Sequence, residues 1–336
     1  MGDEAYFLDV MPGETRGIVV RNGQFHSLYI ERPTDVAEHR LGARVVGRIS
    51  RVEPGLGAAF VDLGTGEPFG FLALGKNRRF AEGEKVTVEI TAEPRESKGP
   101  SLRYVGEGQG EVRLISRGPS VSERIKALAG DQPILTGIEA LEASLAAEEE
   151  ALSSHVVVPA YGLDLSMERT RALIAADIDY APLPGRDSRK AREAVNRVGM
   201  AEIARQLCLK AWGGIICVDL VGVNLHAESI MKMAKAAFAD RNDVVFAPLS
   251  RFGVLQFSMP WTHQPVEERL AQGRAAGLAA LRELNRALLS DRSVPVFELV
   301  CPAAMEKMLS PLVSELGPRA RLVARTDISK PIVREA

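Results

Sequence analysis

The sequence predicts a multidomain α+β fold with a small barrel, an α/β segment and a short C-terminal domain. Residues 42–104 contain several short strands separated by glycines, whereas residues 154–258 alternate strands with helices. Residues 272–336 carry two further helix–strand pairs and are too few to hold a large core alone. The length of 336 residues suggests two or three domains, and 46% apolar residues suffice for packed cores.

Five predicted strands indicate a small barrel of the OB type. They cover residues 43–49, 57–63, 69–72, 85–90 and 101–105. Before the barrel, residues 5–31 form short strands around a hairpin turn at Asn22-Gly23, a dipeptide that favours the positive φ angles of such turns. After the barrel, residues 121–152 are rich in strong helix formers.

Three side chains of the predicted barrel are candidates for contact with a nucleic acid. On the open face of an OB barrel, aromatic rings stack on bases and lysines follow the backbone. Phe60 and Phe71 supply the rings, and Lys98 supplies a nearby positive charge. The alternative is that both phenylalanines fill the barrel interior.

Two aspartates end two apolar runs of the α/β segment. Asp177 follows residues 173–176 and Asp219 follows residues 215–218, and each run predicts a strand buried on both faces. A carboxylate buried without a proton, cation or partner is costly, so these aspartates at neighbouring strand ends indicate a site for a divalent metal. Asp179 points to the same side as Asp177, because side chains alternate along a strand.

Magnesium is the cation that this arrangement predicts. It usually binds one or two carboxylates, keeps several waters and completes its shell with phosphate oxygens, which suits phosphodiester hydrolysis. The alternative is a structural ion pair between the carboxylates and Arg171 or Lys210.

A loop with Pro182, Pro184 and Gly185 is predicted to lead from the first strand to a helix that begins near Asp187.

Composition argues against several other classes of protein. Cys208, Cys217 and Cys301 lack metal-ligand spacing and lie in apolar runs, so we expect buried thiols rather than disulfides. The N-terminal region has acidic residues and no apolar run, and no stretch is long enough to span a membrane, which together predict a cytoplasmic protein. The net charge of −2 does not decide nucleic-acid binding, because basic faces can be balanced elsewhere.

Together, these motifs resemble the ribonuclease E/G family of bacterial endoribonucleases. The segment from Gly47 to Gly64, followed by Gly70-Phe-Leu72, is similar to the S1-type barrel of that family. The stretch from Asn196 to Asp219 and the tetrapeptide Ser250-Arg-Phe-Gly253 also match. The order of these pieces makes the combination specific, whereas any one of them would be weak.

The resemblance implies roles for individual residues and a division into domains. Asp177 and Asp219 would bind the catalytic Mg²⁺, and Asp179, which replaces an asparagine of the family, would assist them. The positions that it implies for RNA contact are Phe60, Phe71, Lys98, Arg117, Asn196 and Arg251. The domains that it implies are a reduced RNase H-like and sensor part (1–40 and 105–153), an S1-type OB barrel (41–104), a DNase I-like catalytic subdomain (154–258), a linker (259–271) and a small C-terminal α/β domain (272–336).

The sequence departs from the family in ways that affect assembly and RNA-end recognition. The cysteine motif that links protomers through zinc should fall between Ser258 and Leu270, where no cysteine occurs. The Arg-Thr pair that senses RNA 5′ ends appears as Arg117-Gly118, in a shortened region. We therefore expect no zinc-linked oligomer and no reading of the 5′ end, and the sequence leaves a homodimer open.

The sequence thus predicts a Mg²⁺-dependent endoribonuclease that cleaves single-stranded RNA with a metal-activated water. The alternative is an RNA-binding protein derived from this nuclease family, with weak or no catalytic activity. The two strand-end aspartates favour the enzyme, whereas the missing zinc motif and the altered sensor pair favour the binding protein.

Overall fold

The chain divides into two compact units, one made of Met1–Glu148 with His263–Ala336 and the other of Glu149–Thr262. The computed structural model describes residues 3–75, 78–181, 188–222, 226–271 and 274–336.

The strands are β1 (Glu4–Met11), β2 (Glu14–Arg21), β3 (Gln24–Glu31), β4 (Arg44–Glu53), β5 (Ala58–Asp62), β6 (Gly70–Ala73), β7 (Lys85–Ala92), β8 (Ser101–Glu107), β9 (Arg113–Ser116), β10 (Ile134–Leu135), β11 (His155–Val158), β12 (Leu163–Arg169), β13 (Ile174–Tyr180), β14 (Gly214–Asp219), β15 (Val245–Phe246), β16 (Leu255–Met259), β17 (Phe297–Pro302), β18 (Ala320–Arg325) and β19 (Ile332–Glu335). The helices are α1 (Val121–Ala129), α2 (Ile138–Leu152), α3 (Ser188–Leu209), α4 (Ala227–Ala237), α5 (Val266–Ala271), α6 (Ala275–Ser290) and α7 (Ala303–Glu315), with short 3₁₀ turns at Ala37–His39 and Pro54–Leu56.

The first unit contains a four-stranded sheet in the order β10-β1-β2-β3. The hairpin between β2 and β3 turns at Asn22 and Gly23, whose φ angles of 50° and 74° are the left-handed values that the dipeptide predicts. α1 packs on this sheet through Val121 and Ile125, which contact the buried Tyr6. The predicted hairpin is therefore confirmed.

A closed five-stranded barrel follows this sheet. Its strands run in the order β4-β5-β6-β8-β7, and β7 pairs with β4 to close it. β9 adds to the outer edge of β4. The alternating pattern of β7, with every second side chain buried, places Val86, Val88 and Ile90 in the barrel core. The OB-like barrel predicted from the strand pattern is confirmed.

Charged side chains form a mostly buried cluster between the N-terminal sheet, α2 and α6. They are Asp9, Glu14, Arg16, Arg32, Glu148 and Arg282. The carboxylate of Glu14 accepts hydrogen bonds from three of the guanidinium groups, at 2.7 to 2.8 Å. Burial by itself raises the pKa of Glu14, but the neighbouring arginine charges outweigh burial and lower the pKa to about 2. Because breaking a buried ion pair leaves an uncompensated charge, this cluster binds α6 to the sheet.

The second unit is a six-stranded sheet in the order β11-β12-β13-β14-β16-β15, with helices on one face. α3 and α4 cover that face and bury alternate residues of each strand, Ile174 and Ile178 among them. α3 lies so close to β13 that a side-chain carbon on Gly199 would come within 2.7 Å of Ile178. The predicted loop at Pro182, Pro184 and Gly185 and the helix start at Asp187 lie outside the described residues.

The prediction that β13 and β14 are buried on both faces is wrong. Ala175 and Asp177 on β13, and Ile215 and Asp219 on β14, are exposed on the face opposite the helices. The sequence of each run is apolar throughout because the exposed positions are occupied by Ala175 on β13 and Ile215 on β14. The site aspartates consequently lie on an open sheet surface rather than in a buried crevice.

The C-terminal part of the first unit has a three-stranded sheet in the order β18-β17-β19, with α6 and α7 packed on it. Leu281 from α6, Leu299 from β17 and Leu309 from α7 are fully buried in this core. Residues 259–271, predicted to be a linker, include the short helix α5, which is held by the buried Val266. None of the described helices is long and apolar enough to cross a membrane.

Candidate active site

Asp177 and Asp219 lie side by side at the ends of neighbouring strands. β13 and β14 are parallel, and their register pairs Asp177 directly with Asp219. Asp179 lies two residues further along β13 on the same face, and all three side chains are exposed. Each of the two parallel strands is an apolar run that ends in an aspartate. Their register therefore brings the two carboxylates next to each other.

A further carboxylate, Asp164, joins this group and was missed by the sequence analysis. β12 and β13 are antiparallel, and their register sets Asp164 directly opposite Asp179. The alternation of residues 163–168, with a polar side chain at every second position, is the available sequence signal. The alternation predicts a strand, but it does not reveal which strand lies next to it.

The electrostatics of this surface favour a cation. Burial raises the pKa of Asp177 above the ordinary value, and the negative charges of Asp179, Asp219 and Asp164 raise it further. Among the described residues, none of these carboxylates forms an ion pair with a lysine or arginine. The negative charge at this edge of the sheet is therefore left uncompensated by the described side chains.

The alternative of a structural ion pair with Arg171 or Lys210 is wrong for Asp177. Lys210 is only 2% exposed, and its ammonium group donates to the backbone carbonyls of Ala151 and Ser153 at 2.7 and 2.5 Å. Arg171 is exposed and makes no ion pair with Asp177 in the described parts of the chain. The role of Lys210 is to anchor the segment that follows α2.

The exposed carboxylates are hard oxygen donors of the kind that bind divalent cations. In the ranges that the structure describes, no three His, Cys, Asp or Glu side chains are grouped so as to enclose a metal ion. Mg²⁺ does not require such a cage, because it binds through one or two carboxylates and retains waters. Asp177 and Asp219 offer that minimal pair of hard oxygen ligands.

Asn196 lies behind the site rather than on the surface where RNA contact was predicted. It is 2% exposed on α3, and its side-chain amide donates to the carbonyl of Val221 and accepts from the N–H of the same residue, both at 2.9 Å. The side-chain amide thus pairs with the peptide group of Val221 as a neighbouring strand would. They fix the position of the chain immediately after Asp219.

On the barrel, the three predicted contact residues come together around β6. Phe60 and Phe71 are cross-strand partners, with ring centroids 6.1 Å apart, and Phe71 is 39% exposed. Neither ring belongs to the barrel core, so the alternative that both fill the interior is wrong. The guanidinium of Arg51 lies 4.8 Å from the ring centroid of Phe60 and also forms an ion pair with the carboxylate of Glu53 at 3.0 Å.

The loop that carries Lys98 approaches β6 closely. A side-chain carbon on the next residue, Gly99, would come within 2.0 Å of the carbonyl oxygen of Phe69, so only glycine fits there. The N–H of Phe71 donates to the carbonyl of Pro100 at 2.8 Å, which joins this loop to the strand. Lys98 is exposed and makes no ion pair within the described residues.

Arg117 and Arg251 are the two remaining predicted contacts. Arg117 is exposed and donates to the carboxylate of Glu123 at 3.0 Å, so its guanidinium is already engaged. Arg251 is exposed in a turn between β15 and β16. Val218 pairs with Leu255, so this turn lies beyond the end of β14 that carries Asp219.

Comparison with known proteins identifies the segment that contains these aspartates. The sequence model described as the ribonuclease E/G family matches residues 111–260. This segment, somewhat less than half of the chain, is therefore similar to the ribonuclease E/G family. The match includes α3, β13, β14 and the turn at Arg251, whereas the barrel lies before it.

Individual relatives give the same family. The chain is 30% identical to ribonuclease E of Escherichia coli (strain K12) over 144 residues, which is 42% of this chain and 13% of that protein. It is 28% identical to ribonuclease E of Haemophilus influenzae over 151 residues, 44% of this chain and 15% of that protein. It is 28% identical to ribonuclease E of Synechocystis sp. over 179 residues, 50% of this chain and 26% of that protein. The matches thus span about a quarter or less of the length of these relatives.

Proposed function

We propose that this chain is a Mg²⁺-dependent endoribonuclease that cleaves single-stranded RNA. The observation that carries the proposal is the register that sets Asp177 beside Asp219. These carboxylates have no cationic partner among the described residues, and they lie in the segment that matches the ribonuclease E/G family. The proposal extends to the domain assignments, with a reduced RNase H-like part around the barrel and a DNase I-like catalytic subdomain over residues 154–258.

Asp177 and Asp219 would hold the metal ion, and Asp179 and Asp164 would add negative charge that attracts it. Once bound, Mg²⁺ supplies an activated water and neutralises charge that develops on the phosphate. Asn196 holds the backbone after Asp219 in place and so keeps that carboxylate oriented. The open sheet surface leaves room for an extended RNA strand.

The barrel would supply the grip on unpaired RNA. Exposed aromatic rings stack on bases of any sequence, and basic side chains neutralise the phosphates between them. Phe71 and Phe60 offer the rings, and Lys98 offers the positive charge. This surface requires unpaired bases, which is why the proposed substrate is single-stranded.

Cleavage of a labelled A/U-rich single-stranded RNA, with and without Mg²⁺, tests the proposal. Asp219→Asn should abolish cleavage and leave RNA affinity nearly unchanged, because the barrel residues are intact. Glu168→Gln is the matched control, since Glu168 is an exposed carboxylate on β12, one residue from the end of that strand. Cleavage by the Asp219→Asn protein at the original rate would place the chemistry elsewhere.

The same assay separates the enzyme from the alternative of an RNA-binding protein. Tight binding of the RNA without any Mg²⁺-dependent cleavage by the unmodified chain would support the binding protein and overturn the proposed activity.

A further inference from the structure

A tight turn places an aromatic and a basic side chain in solvent next to the candidate active site. The turn Ser250–Gly253 joins β15 to β16, and Phe252 within it is 93% exposed. Arg251, which precedes it, is also exposed and forms no ion pair within the described residues. Nearly the whole ring of Phe252 is therefore accessible to a partner.

The turn is held in shape by its own hydrogen bonds. The N–H of Ser250 donates to the carbonyl of Val254 at 3.1 Å, and the hydroxyl of Ser250 accepts from the N–H of Val254 at 3.0 Å. The N–H of Gly253 donates back to the carbonyl of Ser250 at 3.0 Å, and its φ of 82° requires glycine. The ring of Phe252 therefore projects from a defined backbone.

The base of the hairpin is fixed as well. Phe246 and Phe257 from its two strands, together with Phe238, form an aromatic cluster with centroid separations of 5.0 to 5.9 Å. Phe252 takes no part in this cluster. The hairpin thus has its own aromatic core, and the exposed ring is additional to it.

Strand register relates this turn to the carboxylates. β16 begins at Leu255, which pairs with Val218, the residue before Asp219. Asp219 in turn pairs with Asp177 across the parallel strands. The turn, Asp219 and Asp177 consequently lie at the same edge of one sheet, in neighbouring positions.

We propose that Phe252 stacks on an unpaired RNA base next to the phosphodiester held at Asp177 and Asp219, and that Arg251 contacts an adjacent phosphate. This inference rests on the proposed function and names a residue that would make the site select unpaired over paired RNA. A planar base covers an exposed ring without requiring a matching pocket, and a guanidinium beside the ring suits the phosphate that follows each base. A duplex would not offer its bases to the ring.

Equilibrium binding by fluorescence anisotropy, on the intact chain carrying Asp219→Asn to prevent cleavage, tests the inference. With a short labelled A/U-rich single strand, Phe252→Ala and Phe252→Leu should each weaken binding about tenfold, within the range measured for loss of one base–aromatic stack. Phe252→Tyr should retain the affinity, because it keeps the ring. Val245→Ala is the matched control, since Val245 is a 67% exposed apolar residue of the same hairpin outside the turn.

A second measurement detects stacking directly. In Phe252→Trp, addition of the single strand should quench the new indole fluorescence beyond the change seen in the parent protein, and the corresponding duplex should not. Unchanged affinity in Phe252→Ala together with an unquenched indole in Phe252→Trp would overturn the inference. Conversion of a dimer to a monomer by Phe252→Ala, seen in sedimentation, would also overturn it and assign the ring to contact with a second copy.

The outcomes distinguish this inference from the proposed function. If the unmodified chain binds RNA without cleaving it and the Phe252 variants lose affinity, the stacking residue stands and the nuclease activity fails. If cleavage depends on Asp219 and the Phe252 variants behave as the parent in both assays, the activity stands and the stacking fails.

Discussion

Replacement of Asn196 by alanine should destabilise the backbone that follows Asp219 and weaken the use of Mg²⁺. The amide of Asn196 satisfies both the N–H and the carbonyl of Val221, at 2.9 Å each, from a position that is 2% exposed. Alanine removes both hydrogen bonds and leaves two polar backbone groups without their partner. We expect lower stability and a less well-oriented Asp219.

The magnitude follows from the number and burial of these groups. A buried polar group that loses its partner costs about 1–3 kcal/mol. Val221 is half-buried, so water can reach part of its peptide group, and two such losses sum to about 2–4 kcal/mol. Natural domains have unfolding free energies of about 5–15 kcal/mol, so the variant should fold with a clearly lowered urea midpoint.

Two measurements on the same protein check this prediction: urea unfolding and the Mg²⁺ concentration that gives half-maximal RNA cleavage. Asn196→Ala should lower the free energy of unfolding and raise the required Mg²⁺ concentration severalfold. Gln206→Ala is the control, because Gln206 is a fully buried amide on the same helix that bonds Glu150 instead. The reasoning fails if Asn196→Ala loses less than about 0.5 kcal/mol, the usual range of a surface substitution, or if both variants shift the Mg²⁺ requirement equally.

Four further predictions concern stability, its pH dependence, RNA ends and assembly. Arg282→Met should lower the free energy of unfolding by about 3–5 kcal/mol, measured by urea denaturation, because it leaves Asp9 and Glu14 with less positive charge. The folded pKa of Glu14 is about 2 and its ordinary value is 4.5, so its stabilising contribution should be complete above pH 4.5 and disappear as the pH falls towards 2 in a pH series of unfolding curves. Cleavage rates of one RNA bearing a 5′-monophosphate or a 5′-hydroxyl should differ less than about tenfold, equivalent to 1.4 kcal/mol, because Arg117 is paired with Glu123 and Gly118 offers no hydroxyl. Purified protein should contain no stoichiometric zinc by metal analysis, because the cysteine motif is absent. One zinc ion per two chains would contradict this prediction.

The barrel was predictable because its signals are local. Alternation along β7 and glycines between short strands mark individual strands, and five such strands in succession favour closure. The hairpin at Asn22-Gly23 was predictable for the same reason, since its φ angles depend on the two residues themselves. The family match of residues 111–260 includes the motifs from Asn196 to Asp219 and at Ser250–Gly253, whereas the barrel motifs lie outside it.

The exposed sheet face and Asp164 were not predictable from local patterns. The run at residues 173–176 is apolar throughout, yet Ala175 points to solvent, because alanine is compatible with either face. Asp164 reaches the site only through the register between β12 and β13, which depends on how the intervening turn is formed. The buried position of Asn196 likewise depends on a contact 25 residues away in the sequence.

The charged residues of the buried cluster in the first unit are synthesised at different times, and this affects the order in which that unit can fold. Asp9 and Glu14 leave the ribosome before Glu149–Thr262, whereas Arg282, which compensates them, is made only after the whole of that segment. The second unit is continuous in sequence and can fold during that interval. The sheet β10-β1-β2-β3 is therefore synthesised before the second unit but acquires its full set of buried partners only when α6 emerges.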